Sequence, residues 1–336
     1  MTQPIGDSAG KLRYLFVLLL LVQGAALASN KACSSGSGGS GCGAVDQTFA
    51  NLTPLAVGDP FNFNDFTDTS ALTLNGCASF TATSPCYAGA PSGTSLSLTS
   101  AAQSYQTGIG GVFEAGSAFY TTPLALDAGT SISTSFSFTI ANCDAGGCAD
   151  GMTFTIQNDP SGASALGQIG GQLGYGNTTS GIMNSVAIGF DTYEVPGLLV
   201  ATNGNIDHPA AYCSSSNPVT SECPSGAVSF ANGSTGGTYF AWVTYDPIAQ
   251  SLSVYISTTD TQPGTPSLIT NLDLYTTVGS QMYVGFTGGT GGEYADQDVN
   301  SWSFSDSEVA PEPGTLGFSI LGLSAIAFRF RHRAKL

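Results

Sequence analysis

The sequence predicts an all-β protein, a sandwich or barrel of many short strands, and three observations predict it. Apolar residues recur with a period of two, turn-forming pairs separate the runs, and no long amphipathic helix pattern occurs between Asp46 and Glu308. A period of two sends alternate side chains to opposite faces, so each run carries one buried and one wet face. Ile132, Phe136, Phe138 and Ile140 alternate with Ser and Thr in the first clear run. Met152, Phe154 and Ile156 repeat the pattern, as do Val186, Ile188 and Phe190, then Leu252, Val254 and Ile256. Tyr283 and the Trp302, Phe304 pair complete the series, while Asn75-Gly76, Asn203-Gly204 and Asn232-Gly233 mark turns between runs. Regularly spaced short strands of this kind build sandwiches and barrels. A propeller is disfavoured, because no repeat of about 20 to 50 residues is evident.

Charge is distributed unusually. All seven basic residues sit at the ends, as Lys11, Arg13 and Lys31, then Arg329, Arg331, Arg333 and Lys335. From Ala32 to Phe328 there is no Lys or Arg, although carboxylates run throughout and the formal net charge is −16. This body has no basic groove, which excludes nucleic acid as a partner. Its carboxylates have only hydrogen-bond donors and cations as partners, which favours hard-cation sites such as calcium, although most serve as a solvated acidic surface.

The eight cysteines fall into four close pairs: Cys33 and Cys42, Cys77 and Cys86, Cys143 and Cys148, Cys213 and Cys223. Pairing between neighbours is the simplest arrangement, among many that the sequence permits. An even count in an exported chain points to disulfides and an oxidising compartment.

The ends read as targeting segments. Lys11 and Arg13 precede the apolar run Tyr14 to Val22, and Ala26-Leu27-Ala28 follows. This order predicts a signal peptide over 1–28. A Gly/Ser-rich linker follows over 29–45 and a single body over 46–307. Residues 308–336 carry Pro311-Glu312-Pro313, an apolar segment Thr315 to Phe328, and the basic end Arg329-Phe330-Arg331-His332-Arg333. This tail resembles the PEP-CTERM sorting signal of bacterial surface proteins. The resemblance implies a sorting protease and the membrane as partners, and delivery to the cell envelope, surface or extracellular matrix. The basic end also fits a cytoplasmic stop.

Four segments of the body occur in a telling order: Ala149-Asp150-Gly151-Met152-Thr153-Phe154, then Gly170-Gly171-Gln172-Leu173-Gly174, then Asn184 to Tyr193, then Val284 to Tyr294 running on to Asp298-Val299-Asn300-Ser301-Trp302-Ser303-Phe304. Together they resemble the L-type (legume) lectin family over roughly 46–307. The resemblance implies a concanavalin-like jelly-roll sandwich with a shallow sugar site on loops at one edge. It implies that Asp150 accepts hydrogen bonds from two sugar hydroxyls and follows a cis peptide bond, that Gly171 offers its N–H, and that Gly292 and Glu293 add contacts, with Asn203 completing the set. A Cys143–Cys148 disulfide would brace the loop carrying Asp150, and Tyr193 or Tyr294 could stack on a sugar ring.

The third segment is where the family binds metal, usually through Glu-Phe-Asp. Here the Glu position is Gly189, and Val195 replaces a family Asn. Asp191 remains, the Tyr193 carbonyl is a suitable donor, and a following loop supplies Asn203, Asn205, Asp207 and His208. Oxygen donors of this kind suit calcium, so Asp191, Tyr193, Asn205 and Asp207 are expected around one Ca2+. A transition-metal site, with His208 as a ligand, is doubtful without the Glu. The opposed reading is a degenerate metal site with an ordinary polar turn.

Enzymatic readings fare less well. His208 is the sole histidine outside the ends, and no Gly-x-Ser-x-Gly elbow precedes a helix pattern. Asp191 and Glu194 are three apart and point to opposite faces of a strand, against a glycosidase acid and nucleophile pair. Asn51-Leu52-Thr53, Asn177-Thr178-Thr179 and Asn232-Gly233-Ser234 match the N-glycosylation pattern, which carries no weight beside a bacterial tail. The sequence therefore points to a non-catalytic, calcium-assisted binder of a glycan or exopolysaccharide. The alternatives are a structural matrix protein that has lost the sugar site, and a glycoside hydrolase on a related sandwich.

Overall fold

The computed structural model describes residues 60–77, 93–101, 113–177, 181–193, 196–214, 221–226, 228, 230 and 236–308. The signal peptide, the linker and the C-terminal tail lie outside these residues, as do Cys33, Cys42 and Cys86. No helix among the described residues is long and apolar enough to cross a membrane.

The described residues hold fifteen strands: β1 (Phe61–Phe63), β2 (Leu72–Gly76), β3 (Leu96–Thr99), β4 (Ala115–Tyr120), β5 (Leu124–Ala125), β6 (Thr130–Ala141), β7 (Gly151–Gln157), β8 (Ser185–Asp191), β9 (Gly197–Thr202), β10 (Ala211–Ser214), β11 (Gly237–Asp246), β12 (Ser251–Ser257), β13 (Leu268–Asn271), β14 (Gln281–Gly289) and β15 (Asp296–Glu308). One helix of five residues, α1 (Leu274–Val278), is capped by Asp273, whose carboxylate accepts from the Thr276 N–H at 2.9 Å. The expected near-absence of helix matches what is found.

The strands form two antiparallel sheets. The first has seven strands, ordered β1-β15-β6-β11-β12-β13, with β3 also on β15. The second has eight, ordered β10-β9-β8-β7-β14-β4-β2, with β5 also on β14. Apolar positions from both sheets meet in one core, which includes Phe136, Phe138, Phe154, Phe190, Phe286, Trp302 and Phe304. Rings from the two sheets pack edge to face, as in Phe136 against Phe286 at 5.0 Å and Trp302 against Phe286 at 4.9 Å.

The alternation predicts a wet outer face on every strand, and the eight-stranded sheet departs from this. Every residue of β7 is buried. Residues 162–177 and 181–182 lie across the outer face and pack Ala165, Leu173, Tyr175 and Ile182 against Phe119, Ala187 and Leu199. The threonines that read as wet instead tie this layer down. Thr153 Oγ1 lies 2.8 Å from Thr287 Oγ1, and Thr287 donates to the Leu173 carbonyl at 2.7 Å. Satisfying each hydroxyl in this way lets the sheet bury polar positions without penalty. Among the described residues two of the neighbour disulfides are seen whole, Cys143–Cys148 and Cys213–Cys223.

Candidate functional site

Asp150 stands at the entrance to β7, in the middle of the eight-stranded sheet. The next residue, Gly151, lies opposite Asp191 of β8 and Gly289 of β14. The Asp150 backbone ties both neighbours together: its N–H donates to the Gly289 carbonyl at 3.0 Å, and its carbonyl accepts from the Thr192 N–H at 3.0 Å. The Ala149–Asp150 peptide is cis, as the family resemblance implies. Gly151 has φ 135°, and a Cβ there would meet the Phe190 carbonyl oxygen at 2.2 Å, so only glycine lets the chain enter the sheet here.

Two further devices hold this entrance. The buried Gln297 side chain donates from Nε2 to the Ala149 carbonyl at 3.1 Å and to the Gly289 carbonyl at 2.9 Å. The Cys143–Cys148 disulfide closes the loop immediately before Ala149. Sequence reading missed Gln297, although one signal was present. It is a polar residue at an inward position of β15, in phase with Val299.

The rim is glycine-rich. Gly170 N–H donates to the Thr290 carbonyl at 2.8 Å, which docks the 170–172 turn against the end of β14. Gly171 is exposed, and no other group lies within 4 Å of where its Cβ would stand. The same is true of Gly292. A Cβ at Gly291 would come 3.0 Å from Oδ2 of the buried Asp150, so any side chain here would crowd the carboxylate. The Glu293 side chain lies over Gly146 of the disulfide loop, and the Tyr294 carbonyl accepts from the Asp144 N–H at 3.0 Å. The Tyr193 ring lies on the other side of that loop, 3.8 Å from the Cβ position of Gly147. Asp150, Gly171, Gly292, Glu293 and Tyr193 therefore gather at one end of one sheet.

Behind them sits Glu114, also unforeseen. Its backbone exchanges hydrogen bonds with Thr290, through the Thr290 Oγ1 at 2.9 Å and the Thr290 N–H at 2.9 Å. Its carboxylate accepts from the Ser100 N–H at 2.9 Å. Burial pushes the Glu114 carboxyl up to about 7, against the pull of that hydrogen bond and with a further push from Asp296.

Asn203 is not part of this site. Its N–H donates to the Ser185 carbonyl, at the opposite end of β8 from Asp191. Six residue steps along β7 separate the two ends, about 20 Å. The expected calcium set is divided in the same way. Asp191 pairs with Gly197, whereas Asn205 bridges back to Thr202, which pairs with Val186. Asn205 therefore lies five ladder steps away, about 17 Å. Asp207 is engaged elsewhere, accepting from Gln172 Nε2 at 2.9 Å, and His208 next to it is exposed. Among the described residues no three of His, Cys, Asp and Glu come together as metal ligands. Where the family carries a metal-binding Glu, a Cβ on Gly189 would lie 2.7 Å from Leu199 Cδ1, so an apolar side chain fills the space. Asp191 and Tyr193 alone stay together, and one carboxylate with one carbonyl falls well short of a calcium shell of six to eight oxygens. The described donors do not fit the ion. The expectation failed because β9 carries the chain across the whole sheet between residues that are close in sequence.

These features define a lectin-type sandwich, with two antiparallel sheets and a glycine-rimmed carboxylate at the end of a central strand. Residues 59–316 match the legume lectin domain family, and the chain belongs to it. The domain of this family is a non-enzymatic carbohydrate-binding module, and legume lectins generally bind Ca2+ and Mn2+. Among curated relatives, the L-type lectin-domain containing receptor kinase VIII.2 of Arabidopsis thaliana is 33% identical over 183 residues, covering 53% of this chain and 24% of the relative. The probable L-type lectin-domain containing receptor kinase S.7 of the same plant is 32% identical, covering 54% and 27%. The chain thus spans about a quarter of the length of these relatives. Among solved structures, a lectin from Bauhinia forficata in complex with GalNAc aligns with TM-score 0.56 at 24% identity, covering 75% of this chain and 99% of that one. Arcelin-5, a lectin-like defense protein from Phaseolus vulgaris, aligns with TM-score 0.53 at 22% identity, covering 74% and 98%.

Proposed function

We propose that this chain is an exported surface lectin that binds a glycan through the Asp150 end of the eight-stranded sheet, without catalysis and without a metal ion. The observation that carries this reading is the convergence there of a fixed carboxylate, open glycines and a tyrosine ring. Asp150 Oδ1 and Oδ2 would accept from two sugar hydroxyls, and charged acceptors make the stronger bonds. Gly171 and Gly292 leave room for a ring to approach the backbone, and Tyr193 or Tyr294 offers an aromatic face. Gln297 and the Cys143–Cys148 disulfide hold the carboxylate in place of an ion. The terminal segments support export, processing by a membrane sorting protease and retention at the envelope or matrix. Single-site affinity is expected to be weak and to be offset by display in many copies.

The test is a glycan array probed with the full oxidised chain, in calcium and in chelator, with Asp150→Ala beside it. The neighbours with GalNAc and methyl-α-D-galactose put galactose-type sugars first on the panel. Binding is expected to be equal in calcium and chelator and lost in Asp150→Ala. A chelator also leaves the unfolding temperature unchanged, since only an ion bound to the native state would raise it. A folded protein that binds no glycan in either condition would establish the structural-matrix reading instead.

A further inference from the structure

The outer face of the seven-stranded sheet has a chemistry of its own. Along β15, Ser301, Ser303, Ser305 and Ser307 lie opposite Ser137, Ser135, Ser133 and Ser131 of β6. On the next strand, Trp242 lies opposite Ser135, and beyond it Tyr255 lies opposite Trp242. Asn62 of β1 extends the row past Ser303. A groove of about 200 Å³ follows this row, bordered by Asn62, Asn64, Trp242 and Asp260.

Three of the four serine pairs are engaged. Ser137 and Ser301 hydroxyls lie 2.7 Å apart, Ser131 and Ser307 lie 2.8 Å apart, and Ser305 donates to the Ser133 carbonyl at 3.4 Å. The fourth pair, Ser135 and Ser303 beside Trp242, makes no side-chain hydrogen bond among the described residues, nor does the Trp242 indole N–H. Asn64 accepts from Asn62 Nδ2 at 3.0 Å, which leaves its own amide N–H groups to donate, and Asp260 is exposed as an acceptor. A half-buried aromatic ring is thus surrounded by unengaged donors and acceptors of both kinds.

We propose that this groove is a second carbohydrate site, which takes a neutral polysaccharide chain by stacking a pyranose ring on Trp242. A pyranose presents an apolar C–H face to an indole and a belt of hydroxyls that need both donors and acceptors. From Asn62 to Trp242 the groove crosses four strands, roughly 14 Å, which suits a chain more than one monosaccharide. An acidic polymer is excluded by Asp260 and by a body that lacks Lys and Arg between 32 and 328. A second copy of the protein is a poorer occupant. Its net charge of −16 repels, and a serine-lined groove lacks the apolar centre of a subunit interface. This site is independent of the Asp150 reading.

The experiment is retention of the full chain in native gels containing neutral polysaccharides (β-glucan, mannan or galactan), with alginate as the charged control and tryptophan emission followed in solution. The chain has two tryptophans, and both border the groove although Trp302 is buried, so a shift that disappears in Trp242→Ala reports Trp242. Retention and shift are expected in the wild type and in Asp150→Ala. Retention should weaken about tenfold in Trp242→Ala and in Ser303→Gln, which fills the groove from an exposed position. If Trp242→Ala fails to fold, Ser303→Gln decides alone. The proposal is overturned if no neutral chain retains the protein, or if retention is lost in Asp150→Ala and untouched by the groove variants. It is also overturned if Trp242→Ala alters only self-association in sedimentation.

Discussion

Trp302→Ala is expected to cost about 4 kcal/mol of stability, a large share of the roughly 5 to 15 kcal/mol that folded domains commonly have. The ring is buried at the centre of the sandwich and joins three elements. It packs against Phe61 at 4.8 Å and Phe63 at 5.7 Å on β1, and against Phe286 at 4.9 Å and Phe154 at 6.3 Å on the opposite sheet. Its Nε1–H donates to Thr134 Oγ1 at 3.0 Å, so truncation also removes a buried hydrogen bond, while that hydroxyl keeps its own bond to the Ser303 carbonyl at 2.7 Å. Trp302→Phe keeps the ring contacts and loses mainly this bond, and should cost about 1 to 2 kcal/mol. Urea denaturation of both variants checks the pair. Equal losses would show that the hydrogen bond, not the packing, carries the effect.

Stability is expected to fall as pH rises from about 4.5 to about 7. Glu114 is the main cause. Burial raises its carboxyl from the ordinary 4.5 to about 7, and Asp298 is raised by burial to about 6, each with an added push from Asp296. A carboxyl with a raised folded value binds its proton more tightly in the native state than in the unfolded one. Below the unfolded value both states are protonated and the group is silent. Between the two values the native state alone holds the proton, so stability drops with rising pH, and above about 7 the full penalty applies. For Glu114 the penalty is of order 3 kcal/mol. Calorimetry at pH 5 and pH 8 should show a lower unfolding temperature at pH 8. Glu114→Gln, which cannot ionise, should remove most of the difference and raise stability at pH 8. An unchanged pH dependence in that variant would assign the effect to other groups.

Much of the fold was legible because strands announce themselves locally. The runs through Phe136, Phe154, Ile188, Val254 and Trp302 all lie in strands, and the cis peptide before Asp150 lies where the motif placed it. The double burial of β7 was not legible, since Thr153 and Thr155 look like wet positions. The cover they meet is a glycine-rich segment with no periodic signal. That Asp150, Gly171, Gly292 and Glu293 gather at one end of the sheet was legible because each sits where a recognisable motif ends a strand or turns. Asn203 and the calcium set were not legible. Their position depends on strand length and register, which move residues only a dozen apart in sequence to opposite ends of a sheet. Glu114 and Gln297 act through burial, which no short motif encodes.

The loop layer over the eight-stranded sheet bears on how the molecule breathes. Water reaches the amides of β7 and β8 only if the layer carrying Ala165, Leu173, Tyr175 and Ile182 lifts or if the whole sandwich opens, because the core closes the other face. In hydrogen exchange these two strands should therefore be the last to exchange, at rates set by global unfolding, while β10 and β13 at the sheet edges exchange earlier. Asp150 is bonded on one side to the end of β14 and on the other to the residue after β8. The recognition end is thus fastened to the portion of the protein that opens last, and it keeps its shape through the local fluctuations that loosen the edges.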